Sequence, residues 1–147
     1  MGLDMYLNAE RYLWSHHDGD KQLSENIGQL VGLPADGRIK TITVEAGYWR
    51  KANQIHRWFV ENVQDGEDNC QEAGVSREKL TELRELCQQA IDKPEHAHMI
   101  LPTREGFFFG GKDYDQWYFD DLKETIEVID NALAMPEQWD FNYRSSW

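Results

Sequence analysis

Between Gly47 and Val60 the chain reads G-Y-W-R-K-A-N-Q-I-H-R-W-F-V, which sets Arg50, Lys51, His56 and Arg57 among aromatic rings. The protein as a whole carries a formal net charge of −12, so this is a local reversal of sign. Guanidinium and ammonium groups hold anions, Arg through a planar fork and Lys as a point charge. Tyr48 and Trp49 offer π-faces on which a flat ring can stack, and Asn53 and His56 add hydrogen-bonding groups. A second aromatic run, Phe107-Phe108-Phe109 with Tyr114 and Trp117 beyond it, can face the first. The chemistry that suits this combination is capture of a small, flat, nucleotide-like anion by Tyr48, Arg50, Lys51, Asn53, His56, Phe108 and Tyr114.

The spacings that would support a reaction fall short on mechanism. Gly106 to Asp113, G-F-F-F-G-G-K-D, nearly fits the phosphate-loop pattern, but Asp113 stands where a magnesium-holding hydroxyl is required. No carboxylate lies three or four residues from His56 on its helix, so the local spacing offers nothing to orient the imidazole, and a triad is not supported. The cluster Glu95, His96, His98 and the run His16-His17-Asp18-Gly19-Asp20 lack zinc-site spacing, and residues 65–69 lack the calcium-loop pattern. No catalytic residue, metal or cofactor is assigned. Asp4 and Glu45 sit on predicted strands. They face outwards, pair with Arg50, or, turned towards the Arg50 helix, act as acid and base of a small hydrolase together with His56.

The elements that must position these residues follow from hydrophobic period. Alternation of Leu3, Met5, Leu7 and Ala9 with polar neighbours predicts a strand over about 2–14. Leu23, Ile27, Leu30 and Val31 recur at helical spacing, until the glycines and proline of 32–37 break the helix. The β-branched run 38–46 predicts a second strand. Gly47 then caps a helix of about sixteen residues with Trp49, Ala52, Ile55, Phe59 and Val63 along one stripe. This puts Arg50 and Lys51 in the first turn, where basic groups oppose the helix dipole. Such a violation of local rules marks functional sites. Ser76 caps the next helix, which runs to Lys93-Pro94; residues 98–101 and 106–109 read as short strands. Asp113 or Asp115 caps a last helix that Pro136 stops, and Trp139, Phe141 and Tyr143 alternate in a final strand. The order β-α-β-α-α-β-β-α-β predicts one α+β domain over 1–147, a mostly antiparallel sheet packed with three to four helices.

Composition bounds the partners. A chain of 147 residues with six Trp and 12% aromatic residues can bury a substantial core. Its acidity argues against direct nucleic-acid binding, which depends on Lys and Arg displacing counterions. No apolar run is long enough for a membrane helix, and the N-terminus has no secretory pattern, so the expected compartment is the cytoplasm. Cys70 and Cys87, the two cysteines, are expected to be reduced. From Asp113 to Asp140 nine acidic residues stand against Lys123 alone, with Asp120, Glu124 and Glu127 on one helix face. That face suits a basic protein partner, and exposed aromatics leave room for a homo-oligomer.

Three stretches carry a resemblance: M-G-L-D-M-Y-L at 1–7, G-Y-W-R-K-A-N-Q-I-H-R-W-F-V-E-N-V-Q at 47–64 and L-P-T-R-E-G-F-F-F-G-G at 101–111. They resemble a family of small tailed-bacteriophage proteins that generally lack an assigned activity. The resemblance implies a viral accessory protein made in the host bacterial cytoplasm. Its implied role is to counter host defence by sequestering a nucleotide signal or by blocking a defence protein. It carries over no catalytic residue.

Overall fold

The computed structural model describes residues 2–106 and 109–147. Four strands, β1 (Asp4–Tyr12), β2 (Thr41–Arg50), β3 (Ala73–Val75) and β4 (Asp140–Ser146), form one antiparallel sheet in the order β2-β1-β4-β3. Among the described residues the α-helices are α1 (Asp18–Val31), α2 (Asn53–Asn62), α3 (Arg77–Asp92), α4 (Ala97–Ile100) and α5 (Gln116–Leu133). The predicted α+β class, with an antiparallel sheet and helices packed on it, is the architecture found.

The alternation in β1 explains the layering. Leu3, Met5, Leu7 and Ala9 are fully buried and meet Ile55 and Phe59 of α2, Leu80 and Leu83 of α3, and Leu122 and Ile129 of α5 in one core. Asp4, Tyr6, Asn8 and Glu10 point the other way and stay partly exposed. Phe59 stacks flat on Tyr143 of β4, with centroids 3.9 Å apart and planes within 6°. Trp49 is also buried and donates from its indole to Thr125 Oγ1 at 2.9 Å, tying β2 to α5. Burying rings of this size dominates the stability of such a core.

The second strand does not end at residue 46. It runs through Gly47 and Tyr48 to Arg50, pairing Met5 with Trp49 and Asp4 with Arg50, with a register shift beside Leu7 and Asn8. Gly47 is therefore no helix cap. A Cβ there would lie 2.3 Å from Val128 Cγ1, so the missing side chain lets α5 close on the sheet edge. Helix α2 starts only at Asn53, after Ala52, and spans 10 residues rather than about sixteen. Arg50 and Lys51 consequently precede the helix and oppose no dipole within it. Residues 98–101 are helical or turn rather than strand, because Ala97 and Leu101 pack into the core from one turn of α4. The short β3 was not foreseen; three residues are too few for a periodic signal. In α1, Leu30 and Val31 are exposed. That helix is held instead by Asp20, which pairs with Arg11 at 3.0 Å and accepts from the Trp14 backbone at 3.0 Å.

Candidate functional site

The turn between β2 and α2 is built from an unusual backbone. Lys51 adopts a left-handed conformation (φ 60°), its N–H donates to Leu3 O at 2.8 Å, and its carbonyl accepts from Asn53 N at 2.9 Å. Gly110 (φ 91°) presses against it from the facing loop, and a Cβ there would lie 3.1 Å from Lys51 Cβ. Two left-handed residues back to back thus close the loop on the turn, and only glycine fits the second position without strain.

Asn53 locks that loop. Its Nδ2 donates to Phe109 O at 3.1 Å and Gly111 O at 2.8 Å, and its Oδ1 accepts from Arg104 N at 2.9 Å. The next residue, Gln54, is also buried and donates from Nε2 to Tyr118 O at 3.2 Å and Asp121 Oδ2 at 3.3 Å. These two amides hold the loop and α5 at a fixed distance from the β2 end. The space between them is a cleft of about 340 Å³, which falls within the size range of small-molecule sites.

Arg50 and Lys51 border the cleft, both exposed, and their side chains run past Gly2, where a Cβ would lie 3.5 Å from Arg50 Nη2 and 3.3 Å from Lys51 Cε. Among the described residues neither has an ion-pair partner within 4.0 Å. Asp4, which faces Arg50 across the strands, instead accepts a short hydrogen bond from Tyr48 Oη. Asp113, Asp121 and Trp117, whose ring is 78% exposed, also line the cleft. Asp115 caps α5 by accepting from Tyr118 N at 3.1 Å. Burial, followed by the nearby Glu124, Asp120 and Asp115, raises Asp121 to about 6 even though the Gln54 amide opposes the shift.

The expected site residues divide. Arg50, Lys51 and Asn53 line the cleft, although Asn53 spends its amide on the loop. Tyr48 lies on the open face of the sheet beside Tyr6, with centroids 5.5 Å apart. Tyr114 sits behind the cleft, where its hydroxyl accepts from Thr103 N at 3.1 Å and its ring packs on Tyr118. Phe108 lies outside the described residues. Trp117 lines the same cleft as Arg50 and Lys51. Gln54 and Asp121 are not among the expected site residues, and Asp113 is expected only as a helix cap or a failed phosphate-loop position, since nothing in their local spacing links them to Arg50.

His56 is not a ligand group. It is fully buried, with Nδ1 2.6 Å from Tyr143 Oη and Nε2 3.0 Å from Asp68 Oδ2. The neutral Nε2–H tautomer satisfies both contacts: Tyr143 donates to Nδ1 and the imidazole donates to Asp68. Burial lowers the His56 pKa, and the Asp68 carboxylate only partly offsets it. Asp68 also accepts from Trp147 Nε1 at 3.0 Å and lies 3.5 Å from Arg104 Nη2. An orienting carboxylate therefore exists, supplied by a loop twelve residues downstream rather than by the helix. Tyr143 is equally buried, and its hydroxyl is pushed well above the usual phenol range. The network fastens α2, β4 and the 64–69 loop together. Asp4, opposite Arg50, and Glu45, opposite Asn8, stand four register positions apart on the open sheet face, so they do not converge with His56.

Among the described residues no group of three His, Cys, Asp or Glu side chains is arranged to hold a metal ion. Cys87 is buried, which pushes its thiol up to about 12; Cys70 is half-buried, and both are free. No helix among the described residues is long and apolar enough to cross a membrane. Comparison of the chain with protein-family models, with curated proteins and with solved structures finds no match.

Proposed function

We propose that the chain binds a small, anionic, ring-bearing molecule of nucleotide size in the cleft between the β2–α2 turn and the start of α5. The observation that carries this reading is the pair Arg50 and Lys51, without an ion-pair partner among the described residues, lining the same cleft as an exposed Trp117 ring. A phosphate or carboxylate would take charge-assisted hydrogen bonds from the two cations, and the ring would stack on the indole. Asn53 and Gln54 act as positioning residues that hold the walls apart. Following the resemblance to phage proteins, the setting we assign is an infected bacterium, where capture of a nucleotide signal would blunt host defence.

Native mass spectrometry of the protein recovered from infected cells would reveal such a ligand, and calorimetry with that ligand would test the site. A charged hydrogen bond from Arg contributes about 1.5–3 kcal/mol, so Arg50→Ala should weaken binding at least about tenfold. Unchanged affinity would remove the cleft from consideration.

A second reading is favoured by the geometry of α5. Trp117, Asp120, Glu124 and Glu127 follow one another at intervals of three and four residues, and the indole is 78% exposed. An exposed Trp beside an acidic stripe is the composition of a docking surface for a basic protein. In that case the bound species in native spectra is a host protein, Asp120→Lys with Glu124→Lys abolishes it, and Arg50→Ala does not.

A further inference from the structure

The two edges of the sheet are built differently. β3 is only 3 residues long, and a very short edge strand is one way a fold avoids pairing with another chain. β2, at the other edge, has 10 residues. Its first four, Thr41-Ile42-Thr43-Val44, are all β-branched and include no charge, proline or glycine. Thr41, Thr43 and Val44 are exposed. Among the described residues, 41–45 make no backbone hydrogen bond beyond their ladder with β1. The N–H and C=O groups that point away from β1 are therefore an open template for a further strand. The template ends at Ala46, where the register slips between Glu45 and Gly47.

Helix α1 brings an apolar surface to the start of this strand. Ser24 Oγ accepts from Ile39 N at 3.0 Å, two residues before β2, and Asp20 holds Arg11, which stands opposite Ile42. The positions α1 buries are Asp20, Ser24 and Gly28. Its apolar stripe, Leu23, Ile27, Leu30 and Val31, belongs neither to the core nor to the half-buried residues packed on it, and Leu30 is 86% exposed. An amphipathic helix that turns its apolar side away from its own core presents that side to another surface.

Charge identifies the occupant. From Lys21 to Val44 three basic residues, Lys21, Arg38 and Lys40, stand against Glu25 and Asp36, in a chain whose net charge is −12. A basic partner finds no acidic stripe here, and an anionic surface meets the repulsion of the rest of the molecule. A second copy of the chain meets neither obstacle, because this side lets two acidic molecules approach without opposing their acidic faces.

We propose that two copies pair antiparallel along residues 41–45 of β2, joining two four-stranded sheets into one about a two-fold axis at Thr43. An axis perpendicular to the sheet keeps the helices of both copies on one side, so Thr43 lies opposite the partner's Thr43 and Ile42 opposite the partner's Val44. Ile42 and Val44 stand on the helix-bearing side, opposite Arg11 and Ala9. The aliphatic cross-strand pairs thus form on the same side of the sheet as α1. Arg50 and Lys51 lie at the other end of β2, so the dimer leaves the cleft open and does not depend on its being a ligand site.

Sedimentation velocity of the full chain over roughly 1–200 µM, in about 0.15 M NaCl to screen the global repulsion, tests the contact. The mass should rise from the 17.3 kDa of one chain to twice that value and no further, since a two-fold contact closes on itself. A chain that stays monomeric throughout, or grows beyond a dimer, overturns the proposal. Thr43→Lys, at an exposed position, sets two ammonium groups face to face at the axis and should weaken the dimer at least about tenfold; an unchanged dimer rules out this register. Amide hydrogen exchange reads the pairing without a variant. The outward amides among 41–45 should gain at least about tenfold protection between dilute and concentrated samples. A dimer in which they exchange equally fast at both concentrations is held by another surface, and the edge assignment fails.

Discussion

Asp121 carries its charge at a cost to the fold. Its carboxyl ionises near 3.8 in the unfolded chain but at about 6 in the fold, because burial disfavours the charge. As pH rises from about 4 to about 6 the unfolded chain releases this proton while the native state still holds it. Stability is therefore lost through that window, and the full cost is present above it. Asp121→Asn should be more stable than the parent at pH 7.5 by about 1–2 kcal/mol, after allowing for the partial exposure that screens the charge, and equal to it near pH 4. Urea melts at the two pH values measure the difference; a variant less stable at pH 7.5 would contradict the assignment. Neither Asp121 nor the His56–Asp68 contact was legible in the sequence. Arg50, Lys51 and Asn53 were found because they are close together along the chain. The partners of Asn53 come from residues 104, 109 and 111, those of Gln54 from 118 and 121 and those of His56 from 68 and 143, and no period or spacing connects those positions to the 47–60 segment.

At the scale of elements, Gly47 is where sequence reasoning and the fold part most instructively. A glycine between a β-branched run and a helical stripe looks like a cap, and local rules support nothing else. The strand continues because Trp49 in β2 and Met5 in β1 share the buried face of the sheet, and because α5 needs the space above Gly47. Both reasons are tertiary, and propensity yields to them. The elements whose boundaries were read well, β1 and α3, have a long unbroken period or a side-chain cap; Ser76 Oγ accepts from Lys79 N at 3.1 Å. Gly47→Ala should cost about 1–3 kcal/mol, the usual penalty for overpacking. Val128→Ala in the same chain removes the clashing methyls, so the double variant should recover most of that loss relative to Val128→Ala alone. A double-mutant cycle by thermal melting reads the coupling; additive losses would mean that α5 does not close on β2 at this point.

Across the whole molecule, charge separates the two functional readings. The net charge of −12 sets up a field that repels anions at a distance, while Arg50 and Lys51 attract them at contact. Salt weakens both effects, but not equally, because the Debye length falls from about 30 Å at 0.01 M to about 8 Å at 0.15 M and long-range terms are screened first. For a nucleotide in the cleft, screening the global repulsion offsets part of the loss at the two cations. Its affinity is expected to change by less than about threefold between roughly 0.02 and 0.15 M NaCl. A basic protein on the acidic face of α5 has no such compensation, since the global field and the Asp120, Glu124 and Glu127 stripe both favour binding. Its association rate should fall by at least about tenfold over the same range. Parallel titrations of the captured nucleotide by calorimetry and of the captured protein partner by surface plasmon resonance would measure the two slopes. A nucleotide affinity that collapses with salt would mean that local charge alone holds the ligand, with no contribution from the Trp117 ring.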